Sequence, residues 1–210
     1  MEAAERTTEL DRIVFFSDGV FAIAITLLVI SIRVPSLPSD VSNAELSRHL
    51  IDEWPRVLSY AVSFTVIGLY WIGHHRTFAH IRRFDHRMIV LNLVFLGLIA
   101  FLPWPTAIIG RYGAHRSAVV LYAGSLALAG LASTALWLYA WRSGLADVGT
   151  RRARYLAARA ALPAVVFGCS IPIAYVSPVA AQLSWLSFVV LRRFVETRFG
   201  GDDAREGAFA

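Results

Sequence analysis

The chain contains no lysine, and only 17% of its 210 residues are charged. Soluble domains carry about 25% charged residues, so this surface is short of the groups that hold a protein in water. Hydrophobic residues make up 57%, more than one core of this size hides, and the class is an integral membrane protein. A single cysteine, Cys169, excludes an intrachain disulfide and reads as a small residue inside a span. No stretch alternates apolar and polar residues over ten positions, which argues against an outer-membrane barrel. P-loop, dinucleotide fingerprint and serine–histidine–acid patterns are all missing, so no enzyme is expected. The residues before Arg12 include Glu2, Glu5, Glu9 and Asp11 instead of a basic stretch. The first apolar run is therefore expected to be retained, not cleaved as a signal peptide.

What is present is a series of six apolar segments: Ile13–Ile32, Val57–Gly73, Met88–Ile109, Ser117–Trp141, Ala160–Val176 and Val179–Val195. Most approach the ~20 residues that cross a bilayer, and the last is the shortest. The expected fold is all-α, a six-transmembrane-helix bundle spanning 13–195, with a cytoplasmic N-terminus over 1–12 and a disordered polar tail over 196–210. The net charge is +5. Counting six spans, Arg76, Arg82, Arg83, Arg87, Arg142, Arg151, Arg152, Arg154, Arg192, Arg193 and Arg198 share one side. Arg33, Arg48, Arg56, Arg111 and Arg116 are on the other. The positive-inside rule puts both termini in the cytoplasm of a multi-pass cell-membrane protein. The basic face reads as an anchor to anionic lipid, with no nucleic acid as partner.

Between the first two spans, Ser42-Asn43-Ala44-Glu45 has capping-box spacing and Leu46, Leu50 and Trp54 recur every four residues, predicting a short amphipathic helix. Pro103, Pro105, Pro163 and Pro172 predict kinks in the third and fifth spans. The fourth span is rich in small residues, among them Gly124, Ala127 and Gly130, which permit close helix packing.

The first span holds the chemistry. Arg12 and the pair Ser17-Asp18 sit at the mouth of an apolar run, and a charge that deep costs a few kcal/mol. At 100° per residue, Phe16, Ile23, Leu27, Ile30 and Thr26 form one stripe. Asp18 falls about 140° from Ile23 and Ser17 about 120°, so both face elsewhere. Arg12 and Asp18 are poorly placed to pair with each other, and their partners are expected on other helices. Trp71 and His74 end the second span at the depth of Asp18, and Asn92 begins the third there. Their N–H groups can satisfy a buried carboxylate; the alternative is unrelated interfacial residues. His74, His75, His80, Asp85 and His86 share their loop with four arginines and lack zinc-like spacing, so no metal is expected. Thr65–Tyr70 is superficially similar to a carbonyl selectivity filter but sits mid-helix, and reads as packing.

Arg12, Phe16-Ser17-Asp18 and Ile23 in an apolar helix, followed by Trp71 and His74 closing the second span, resemble the lysosomal/endosomal potassium channels, the transmembrane protein 175 family. The resemblance is to the prokaryotic branch with one six-helix repeat per chain, and it covers Asp11 to about Arg193. It implies a homotetramer whose first helices line a central pore, with potassium as the permeant ion and no cofactor. It implies that Ile23 forms a hydrophobic constriction, that Leu27 and Ile30 extend it, and that Thr26 adds a hydroxyl to the pore. Arg12, Phe16, Ser17, Asp18, Trp71, His74 and Asn92 would form a structural network holding the helices together. An apolar neck thins an ion's hydration and can gate by dewetting, which favours potassium over the more tightly hydrated sodium. On the residues alone the stripe is equally compatible with ordinary packing. The function expected is a leak-type potassium-permeable channel. The alternatives are a proton-conducting pore or proton-coupled transporter using Asp18 and His74, and a non-conducting scaffold.

Overall fold

The computed structural model of the chain describes residues 2–32, 34 and 36–199. Among these residues the architecture is all-helical. Helix α1 (Glu2–Leu27) tightens into a 3-10 turn at Leu28–Ser31. It is followed by α2 (Asn43–Asp52), α3 (Trp54–Phe78), α4 (His86–Phe101), α5 (Pro103–Tyr112), α6 (Arg116–Arg142), α7 (Thr150–Val176), α8 (Pro178–Ser184) and α9 (Ser187–Phe199). Among the described residues, five stretches are long and apolar enough to cross a bilayer: Glu9–Ser31, Trp54–Phe78, His86–Tyr112, Arg116–Arg142 and Thr150–Val176.

The sixth segment read from the sequence, Val179–Val195, is not one helix. Ser177 caps α8 by accepting from the Ala180 N–H, and Pro178 takes the first helical position, where its missing N–H costs nothing. The chain then turns at Trp185-Leu186 before α9 begins. The hydroxyl of Ser184 bonds the Ala181 carbonyl, the local competition with helical bonding that serine offers. Helix α9 continues to Phe199, past the domain boundary expected at 195; residues 200–210 of the expected tail lie outside the described residues.

The prolines act differently from one another. Pro103 stops α4 and opens α5, and the Thr106 hydroxyl returns to the Leu102 carbonyl. Pro163 and Pro172, by contrast, lie inside α7, which runs unbroken through both. The amphipathic helix before α3 is present, with Ser42 accepting from the Glu45 N–H at its N-cap.

The core centres on α6, which packs along α7 and against α4. Gly130 lets α6 approach the backbone of α7 closely, since a Cβ there would lie 2.6 Å from the backbone nitrogen of Ala164. The face of α1 carrying Ser17, Phe21, Ala24 and Leu28 is buried at helical spacing and joins this core through Phe95 and Tyr70. At the arginine-rich end, the α3–α4 and α6–α7 connections are clasped to each other. The N–H groups of Arg82 and Arg83 reach the Leu145 carbonyl, and that of Asp147 reaches the His80 carbonyl. Asp85 caps α4 through the Met88 N–H (2.8 Å) and accepts from the Tyr139 hydroxyl (2.5 Å). The tyrosine hydroxyl, and secondarily the backbone N–H groups, hold its carboxyl below the usual carboxylate range.

Candidate functional site

Helix α1 has two faces of opposite fate. Ser17, Phe21, Ala24 and Leu28 are buried, whereas Ile23 is 61% exposed and Ile30 70%. Phe16 and Leu27 are exposed on the same side as Ile23, and so is Thr26. The hydroxyl of Thr26 donates to the Ile23 carbonyl at 2.9 Å, so its oxygen keeps its acceptor capacity. Phe15 and Gly19 extend the exposed face, and with Phe16 and Ile23 they line an open hollow beside Asp11 and Arg12. Phe15 was not part of the stripe read from the sequence, because one apolar helix gives no sign of how wide its uncovered face is.

On the opposite side, polar groups tie α1 to α3 and α4. The Trp71 indole N–H donates to Asp18 Oδ1 at 2.8 Å. Asn92 donates through Nδ2 to the Ser17 hydroxyl (3.0 Å), and that hydroxyl donates to the Ile13 carbonyl (2.8 Å). His74 Nε2 lies 2.9 Å from Asn92 Oδ1. With the Asn92 amide committed to Ser17, its oxygen is the acceptor, so Nε2 of His74 carries the proton. Nδ1 of His74 is buried without a partner among the described residues. The ring is stacked on Phe78 (4.3 Å between centroids) and Phe95 (5.8 Å), with Phe21 tilted against it.

The structure therefore brings Ser17, Asp18, Trp71, His74 and Asn92 together, but in two pieces. Among the described residues Asp18 takes only Trp71; His74 and Asn92 serve Ser17, not the carboxylate they were expected to satisfy. The reason is rotational, because Ser17 points into the core while Asp18, 100° further round, faces the rim toward α3. Two residues grouped with the network stand outside it. Phe16 is on the exposed face, and Arg12 is exposed with no ion pair among the described residues.

A second polar cluster in the core was not read from the sequence. Thr106 donates to Ser63 (2.9 Å), and Ser63 shares a hydrogen bond with the Tyr122 hydroxyl (2.8 Å), joining α5, α3 and α6. Three hydroxyls on three helices have no spacing that a sequence displays.

A family model described as endosomal/lysosomal potassium channel TMEM175 matches residues 12–103, the segment that carries Arg12 through Asn92. A Streptomyces collinus protein named as a potassium channel is 39% identical over 177 residues, which is 80% of this chain and 84% of that protein. The chain belongs to the TMEM175 family. A Chamaesiphon minutus protein, also named as a potassium channel, is 40% identical over 67% of this chain and 70% of its own length. The crystal structure of a lysosomal potassium-selective channel TMEM175 homologue from Chamaesiphon minutus superposes with a TM-score of 0.75. It is 31% identical, over 91% of this chain and 98% of that one. The helical architecture is thus the TMEM175 fold, and the chain is a multi-pass protein of the cell membrane.

Proposed function

We propose that four copies of this chain form a potassium-permeable, leak-type channel, with α1 of each copy lining a central pore. The observation that carries this reading is the uncovered apolar stripe of α1. A helix pinned to its own bundle by Ser17 and Asp18 presents Ile23, Leu27 and Ile30 on another side, where the described residues leave them exposed. Leu27 and Ile30 lie at the edge of a hollow shared with Trp104 and Arg111. One such helix cannot enclose a pore, and a closed symmetric ring can. Ile23 forms the constriction, Leu27 and Ile30 continue it, and the Thr26 oxygen interrupts the apolar wall. Potassium as the ion is supported by relatives at about 40% identity that are named potassium channels. In this reading α8 and α9 together make the sixth crossing, so that both termini lie on the arginine-rich, cytoplasmic side.

The proton-relay reading draws less support. It needs Asp18 and His74 in one chain of hydrogen bonds, and they bond to different partners. The test is ion flux from liposomes holding the purified protein, under potassium, sodium and proton gradients. Potassium flux well above sodium flux is expected, and Ile23→Asn should wet the neck and lower that ratio. Unchanged reversal potentials in Ile23→Asn would remove Ile23 from the constriction. A silent, well-folded tetramer would overturn the channel.

A further inference from the structure

At the arginine-rich end of the bundle, a groove opens between α3, α7 and α9, away from the α1 face. On α3 its lining residues Val66, Leu69 and Gly73 lie about 160° round the helix from Trp71, which bonds α1. The groove is partly open to its surroundings and not an enclosed cavity. Its deeper walls are apolar, from Val66, Leu69, Leu162 and Phe188, and its upper end carries Arg76, Arg159 and Arg192. Val62, one turn from Val66 on the same face of α3, and Val189, next to Phe188, are exposed and apolar, as a lipid-facing surface requires.

The charges in this groove do not balance. Glu196 lies 3.2 Å from Arg192 and 3.6 Å from Arg159, one carboxylate shared by two guanidiniums. Arg76 has no carboxylate partner among the described residues. The Arg159 side chain is only 15% exposed and sits within a membrane-spanning helix, where its remaining local contact is the Tyr155 hydroxyl at 3.1 Å. Uncompensated charge at such depth is costly and calls for a counter-anion.

We propose that this groove seats an anionic phospholipid, its phosphate among Arg76, Arg159 and Arg192 and its chains along Leu69, Leu162 and Phe188. Guanidinium matches phosphate geometry, and the apolar walls give the acyl chains a surface that a free anion would leave unused. The inference rests on the chain's place in the membrane and not on conduction, so it stands or falls separately from the channel reading.

The test counts lipids retained by the full-length protein in detergent, by native mass spectrometry, during titration with phosphatidylglycerol or phosphatidylcholine. Preferential retention of phosphatidylglycerol is expected. Arg76→Gln, at an exposed position, should weaken it roughly fivefold, the worth of one arginine near an anionic surface. Glu196→Gln removes the competing carboxylate and should strengthen it, a change of sign that mere loss of structure would not produce. Arg83→Gln, in the exposed α3–α4 connection, should leave binding unchanged. Equal retention of both lipids, or equal weakening by Arg83→Gln and Arg76→Gln, would overturn the proposal. So would displacement of the lipid by glycerol phosphate at matching concentration, which would mark a site for any soluble phosphate.

Discussion

Replacing Asn92 with leucine tests the joint between α1, α3 and α4. Asn92 is 2% exposed, and it accepts from His74 while donating to Ser17. Leucine has the same branching and no polar atom. Ser17 keeps its bond to the Ile13 carbonyl, so its loss is small. His74 fares worse. Its Nε2–H loses the one partner it has, and Nδ1 already lacks one. An orphaned buried donor costs about 1–3 kcal/mol, although side-chain hydrogen bonds within membranes average nearer ~0.6 kcal/mol. A destabilisation of about 1–2 kcal/mol is therefore expected, lowering the folded-to-unfolded ratio by roughly 5–30-fold. The double variant His74→Phe/Asn92→Leu removes both halves of the bond, and Phe21, Phe78 and Phe95 already form an aromatic seat for the new ring. It should be more stable than the sum of the two single changes by about 1 kcal/mol, in the range of contacting pairs. Unfolding of the purified protein in detergent, followed by tryptophan fluorescence, reads both quantities. An Asn92→Leu protein as stable as the parent, or strict additivity in the double variant, would refute the assignment of these bonds.

Asp18→Asn turns the bond from Trp71 into a neutral one of roughly half the strength. Assembly by size-exclusion chromatography should fall while flux per assembled particle persists; flux lost from intact assemblies would favour a proton relay instead. Gly130→Ala pushes a methyl against the Ala164 backbone and should cost about 1–3 kcal/mol in thermal unfolding. Gly124→Ala, with nothing within 4 Å of the added carbon, should be neutral or stabilising. Asp85 is held ionised by Tyr139, so its folded pKa lies below the ordinary value of about 3.9. Its contribution is full above that ordinary value and is lost as pH falls through the folded one. Asp85→Asn, which keeps an N-cap, should flatten the acid limb of a stability-against-pH curve below about pH 4; an unchanged limb would count against the carboxylate's role.

The apolar runs were legible because bilayer crossing sets one length and one composition, and each of the first five contains or overlaps a long helix in the structure. The sixth was not legible as two pieces, because its break comes from Ser184 and a turn at Trp185 within a segment that stays apolar. Pro103 breaks a helix and Pro163 does not, although the two look alike in the sequence. What differs is the surroundings: Thr106 and Ser63 bond at the α4–α5 break, while α7 is held along its length against α6. At the site, the residue types and depths around Ser17-Asp18 were readable from one helical wheel. Which donor meets which acceptor was not, since that depends on how far α3 and α4 are rotated about their own axes.

The clasp between the two arginine-rich connections bears on where a reporter can be attached. Backbone bonds from Arg82, Arg83 and Asp147 make the α3–α4 and α6–α7 connections a single mechanical unit. A tag or protease site inserted near Leu145 would take the acceptor from both arginine N–H groups at once, and would free two positively charged hairpins to repel. Among the described residues, the segment just before α2 bonds through its backbone only from Val41 to Pro38, with no such tie to a distant part of the chain. A fluorophore or epitope belongs there.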